Sequence, residues 1–114
     1  MHWHVIEARI RYRTSEEGGR KGIVANGYRG QFYYDGEDHD GFQYFPDTDP
    51  SGNVELGREV RAFVQFAEVL WDQIHKQHLQ VGKAFEIREG RRVVGEGTVT
   101  RLDVPIIEWK DIIH

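Results

Sequence analysis

Ile6-Glu7-Ala8-Arg9-Ile10-Arg11-Tyr12-Arg13 alternates without a break. Ile6, Ala8, Ile10 and Tyr12 share one face, and Glu7, Arg9, Arg11 and Arg13 share the other. A period of two places successive side chains on opposite sides of the backbone, which predicts a half-buried β-strand. Residues 59–66 repeat the pattern, with Val60, Ala62, Val64 and Phe66 on one face. Gln31-Phe32-Tyr33-Tyr34 and Phe42-Gln43-Tyr44-Phe45 are aromatic-rich strand candidates. Residues 84–88 and 93–102 predict a hairpin around Glu89-Gly90-Arg91, with Gly95 and Gly97 marking a bulge or a close backbone approach. Between the strands, Thr14-Ser15-Glu16-Glu17-Gly18-Gly19 is a loop. Asn26-Gly27 is a tight turn after the short apolar run Ile23-Val24-Ala25.

Many short strands with glycine-rich turns predict an all-β domain. A closed antiparallel barrel is the better expectation than a sandwich, because closure removes exposed edges. Only the stretch 68–80 reads as helical, with Leu70, Ile74 and His78 at spacing four. The residues from Asp103 to His114 hold Ile106, Ile107, Trp109, Ile112 and Ile113, which is too much apolar surface to leave in water. They are expected to pack on the barrel or on a second copy.

The chain has 114 residues, the size of one domain (1–114), and it contains no cysteine. Disulfides and cysteine-ligated metal sites are therefore excluded. No apolar run is long enough for a membrane helix or a signal-peptide core. The net charge of −4 is unevenly placed. Residues 1–30 carry six Lys/Arg against three Asp/Glu, whereas residues 31–60 carry one against eight. An anion-binding site should draw on the first block and avoid the second.

Catalytic and metal-binding patterns find little material. Gly22 and Gly27 have phosphate-loop spacing but lack the lysine and hydroxyl that should follow. Ser15 and Ser51 are the only serines, and neither sits in a nucleophile elbow. His2 and His4 would share a strand face, and His75 and His78 a helix face. Each pair supplies two ligands where a structural zinc site wants four. Asp47-Thr48-Asp49-Pro50-Ser51-Gly52 begins like a calcium loop, but Arg58 occupies the position of the closing glutamate. The stretch reads as turn chemistry, and no catalytic residue, metal or cofactor is expected. Arginines offer more. Arg9, Arg11 and Arg13 share a strand face, Arg20-Lys21 follow a Gly-Gly pair, and Arg29 follows Gly27-Tyr28. Guanidinium forks suit phosphates and carboxylates. A solvated face whose arginines pair with neighbouring acids is the simpler reading of the first three.

Three motifs occur in order: Glu17-Gly18-Gly19-Arg20, then Gly27-Tyr28-Arg29-Gly30-Gln31-Phe32-Tyr33, then the stretch from Phe85 to Thr100 (FEIREGRRVVGEGTVT). Together they resemble the C-terminal (third) domain of elongation factor Tu, with its patterns E-G-G-R, G-Y-R-P-Q-F-Y and F-x-I-R-E-G-G-R-T-V-G-x-G-V-V. The resemblance covers about residues 5–102. It implies a closed six-stranded antiparallel β-barrel, with a helical or loop insertion at 67–81 and a C-terminal extension at 103–114. It also implies that the GTPase domain and second barrel are missing, as in a free-standing homologue or a fragment, and it implies a cytoplasmic setting.

In that family the barrel contacts the T arm of aminoacyl-tRNA, the GTPase domain and the exchange factor. By resemblance, Arg20, Lys21, Arg29, Gln31 and Gly90 are the candidate RNA- or partner-binding residues. The pattern is broken in places. Gly30 replaces the usual proline, Arg91 replaces the second glycine, and Asp40 stands near a threonine that approaches the tRNA backbone. An aspartate there repels phosphate. Two functions follow: a non-catalytic module that binds tRNA or translation-related proteins, or a protein-interaction or decoy module without RNA binding. A homodimer through the apolar tail is a further expectation.

Overall fold

The alternation at 6–13 becomes β1, Trp3–Tyr12, in a computed structural model that describes residues 2–49 and 52–113. Ile6, Ala8, Ile10 and Tyr12 are fully buried, while Arg9 is exposed. The other strands are β2 Gln31–Tyr34, β3 Glu37–His39, β4 Phe42–Tyr44, β5 Glu59–Ala67, β6 Ala84–Glu89 and β7 Arg92–Arg101. All pair antiparallel in one curled sheet ordered β3-β2-β6-β7-β1-β5-β4. β1 lies between its two long partners, pairing with β5 from Trp3↔Ala67 to Arg11↔Glu59 and with β7 from Glu7↔Arg101 to Tyr12↔Gly95.

β4, at one end of this order, closes onto the chain just ahead of β2. Tyr28, just ahead of β2, forms an isolated antiparallel bridge with Gln43 of β4. The Gln43 N–H donates to the Tyr28 carbonyl at 2.9 Å, and the Gly27 N–H donates to the Gln43 carbonyl at 2.8 Å. Six strands thereby form the expected ring, and β3 is a seventh strand attached to β2. The side chain of Gln43 completes the seam from inside. Its amide donates to the Gly30 and Gly41 carbonyls at 2.8 and 3.0 Å and accepts from the Tyr12 hydroxyl at 2.8 Å. A fully buried amide is tolerated because its polar atoms are satisfied. Aromatic rings fill the interior around Phe32, which stacks on Phe85 at 4.2 Å and meets Phe66 edge-on at 5.2 Å.

Gly30 lies against this interior. A Cβ there would fall 2.4 Å from the Ile87 Cγ2 methyl and 2.7 Å from the Tyr28 ring. A side chain at this position would have to displace its own neighbours.

The segment 67–81 is a helical insertion: α1 Glu68–Leu70, a π-helical turn Trp71–His75, and α2 Lys76–His78. The side chains it buries are Trp71, His75 and Leu79, rather than the Leu70, Ile74 and His78 stripe expected from spacing. Trp71 stacks on His4 at 3.7 Å and 9°. His75 sits against Phe66, His39 and Tyr34.

The C-terminal extension packs on the outside of the barrel. Val104 and Ile113 join Val5 and Phe63, residues on the outer faces of β1 and β5, in a second apolar cluster. α3, Ile106–Trp109, lies within this extension. Glu7 ties the same face together, accepting from Arg61 and Arg101 at 3.0 Å each and from Thr100 at 2.8 Å. Burial alone would raise the Glu7 carboxyl, but these donors hold it below the usual carboxylate range. Arg101 continues to Glu108, and Arg61 to Asp47, both at 2.8 Å. Among the described residues, no helix is long and apolar enough to cross a membrane. Pro50 and Ser51, part of the calcium-like turn, lie outside the described residues, as do Met1 and His114.

Candidate nucleic-acid interface

Gly90 sits at the tip of the β6–β7 hairpin with φ of +62°, a conformation glycine adopts at no steric cost. Beside it, Glu89 gathers the other two motif segments. The Arg20 guanidinium donates to the Glu89 carboxylate at 2.6 Å, and the Tyr28 hydroxyl donates to the same oxygen at 2.5 Å. Arg20 also lies over the Tyr28 ring, 4.8 Å from its centroid. The loop before β2, the glycine-rich loop after β1 and the hairpin tip therefore meet at one end of the barrel. Burial and the bond to Glu89 push the Tyr28 hydroxyl up to about 12. Tyr28 and Glu89 in turn reinforce the Arg20 cation. The Arg20 Nε is buried without a hydrogen-bond partner among the described residues.

Three cations at this end have no acidic partner among the described residues. Lys21 follows Arg20 and is exposed, and Arg91 and Arg92 extend from the hairpin turn. The other predicted residues diverge. Gln31 is half-buried in β2, opposite Arg88 of β6. Arg29 points elsewhere, its guanidinium over Phe42 at 5.1 Å. On the strand face, Arg11 pairs with Glu17 and Arg13 with Glu96, as the simpler reading expects, whereas Arg9 makes no ion pair among the described residues. Among the described residues, no group of three or more His, Cys, Asp or Glu is arranged to hold a metal.

A family model described as the elongation factor Tu C-terminal domain matches residues 2–103. The chain belongs to that family. The match spans all seven strands and ends at residue 103, ahead of α3. The chain is thereby related to a translation factor and built as a binding module. Sequence reasoning missed Tyr28 and Glu89 as the residues that join the three motifs. Both stand inside the quoted motifs, but their pairing crosses 61 positions of chain and carries no local signal.

Proposed function

We propose that this elongation factor Tu C-terminal-type barrel is a non-catalytic module that binds tRNA through the end bearing the β6–β7 hairpin. The observation that supports this most is the convergence of the three motif segments on Arg20, Tyr28 and Glu89, with Lys21, Arg91 and Arg92 exposed around them. Glu89 neutralises part of the Arg20 charge, so the free cations carry the phosphate contacts. Three such contacts on a duplex give a log–log salt slope of about −2.7, or roughly a fortyfold loss of affinity for a fourfold rise in salt. A tRNA titration at low and moderate salt tests the proposal. Binding that weakens along this slope, and a slope that flattens in Lys21→Ala with Arg91→Ala, supports it. No binding at low salt overturns it.

The protein-interaction reading is favoured by one feature: Asp35, Glu37, Asp38 and Asp40 are all exposed on and around β3, a strand edge hostile to phosphate. In a pull-down from lysate, enriched RNA speaks for the first reading and a stoichiometric protein for the second.

A further inference from the structure

A groove lies between the helical insertion and the C-terminal extension, away from the hairpin end. One part holds about 460 Å³ beside Trp3, Asp103, Ile106 and Trp109. The other holds about 560 Å³ beside Val69 and Asp72. His2 and Glu68 line both parts, so the groove is continuous. Its walls present apolar side chains to water, Val69 at 57% and Ile106 at 63% exposure. Isolated apolar residues on a surface are ordinary, but here they border one concave site that also holds two tryptophan rings.

Carboxylates are the charged side chains that line it. Glu68, Asp72 and Asp103 line the groove, and no lysine or arginine does. Glu68 and Asp103 make no ion pair among the described residues, and Asp72 has only Lys76 at 3.8 Å. Nucleic acid is disfavoured on such a surface. A second copy seated here by a two-fold would bring the same acids face to face. What the surface complements is an apolar anchor flanked by positive charge.

We infer that this groove docks a basic, amphipathic segment of a partner protein, on a face separate from the RNA-facing end. Occupancy of the groove does not require tRNA binding.

The test uses the whole chain and two helical peptides of one pattern, a Leu/Lys peptide and a Leu/Glu peptide with leucines along one face. Anisotropy of the labelled peptide gives affinity, and tryptophan emission reports occupancy, since Trp3 and Trp109 line the site. Saturable binding of the Leu/Lys peptide alone is expected. Reversing both unpaired acids, Glu68→Lys with Asp103→Lys, should weaken it roughly tenfold at low salt. Glu37→Lys with Asp38→Lys changes the net charge equally on β3, which does not line the groove, and should weaken it far less. Ile106→Asp should also weaken binding. If that variant is poorly folded by circular dichroism, Val69→Asp on the opposite wall replaces it. Absent binding, equal loss in the two charge-reversed proteins, or indifference to the apolar variants overturns the inference. So does a dimer in light scattering that Ile106→Asp dissolves, because a second copy would then be the occupant.

Discussion

Acidification should destabilise this barrel through His75. The imidazole is fully buried where the π-helical turn meets the sheet. Its Nδ1 lies 2.7 Å from the Tyr34 hydroxyl, and its Nε2 makes no hydrogen bond among the described residues. The Phe66 ring faces it at 4.3 Å and the His39 ring at 4.7 Å. Burial, with the His39, His4 and His78 imidazoles adding repulsion, holds its pKa down at about 4 against 6.5 for a free side chain. A base whose folded value is depressed stays neutral in the native state but takes a proton on unfolding. Stability is therefore whole above pH 6.5 and is lost as pH falls through 6.5 toward 4. Linkage gives a loss of about 2 kcal/mol at pH 5 and about 3 kcal/mol at pH 4. Urea denaturation at several pH values measures it, with His75→Gln as the reference because Gln offers Tyr34 an acceptor without titrating. Carboxylates titrate in both proteins and cancel in the difference. The gap in unfolding free energy between the two proteins should close by those amounts on acidification. A gap that stays constant from pH 8 to pH 4 refutes the reasoning.

Three further outcomes follow from the seam and the hairpin end. Gln43→Leu strips partners from the Tyr12 hydroxyl and from the Gly30 and Gly41 carbonyls; denaturant titration should show a loss of about 2–4 kcal/mol. Gly30→Ala forces a methyl into the Ile87 and Tyr28 side chains and should cost about 1–3 kcal/mol in thermal unfolding. Unchanged stability would mean that the Tyr28 loop yields freely. Glu89→Gln releases Arg20 from its counter-charge, so tRNA affinity at low salt should rise, with the salt slope steepening by about 0.9. An unchanged slope would place Arg20 outside the interface.

The long strands were legible because one face of each is apolar and the other polar over several residues; β1 and β5 show this at 6–12 and 60–66. β3 was not, because Glu37-Asp38-His39 has no apolar residue. Its signal lay one step earlier in Asp35-Gly36, where both residues adopt positive φ and turn β2 back on itself. β4 was legible as a strand but not in its facing. In Phe42-Gln43-Tyr44 the glutamine is the buried residue and the aromatics are half-buried outside, since the closing seam needs an amide more than a ring. The insertion's inward stripe was hidden for the same reason: Trp71, His75 and Leu79 recur at spacing four, but a histidine does not register as apolar. Of the candidate site, the motifs contain Arg20, Lys21 and Gly90, and the Arg20–Glu89 bond brings the loop of the first two to the hairpin of the third. The ion pair that half-neutralises Arg20 is a long-range event and leaves no trace in local spacing.

The seam between Tyr28 and Gln43 also sets how the backbone breathes. Amides of β1 are held on both sides by long ladders and are freed only when the whole barrel comes apart. At the seam, one bridge and one side chain hold the ring shut, and β4 contributes three residues. Local opening there needs far less free energy. Deuterium should therefore enter the Gln43 amide well before it reaches Ile10, and the barrel should open like a split ring, at the joint rather than along the band.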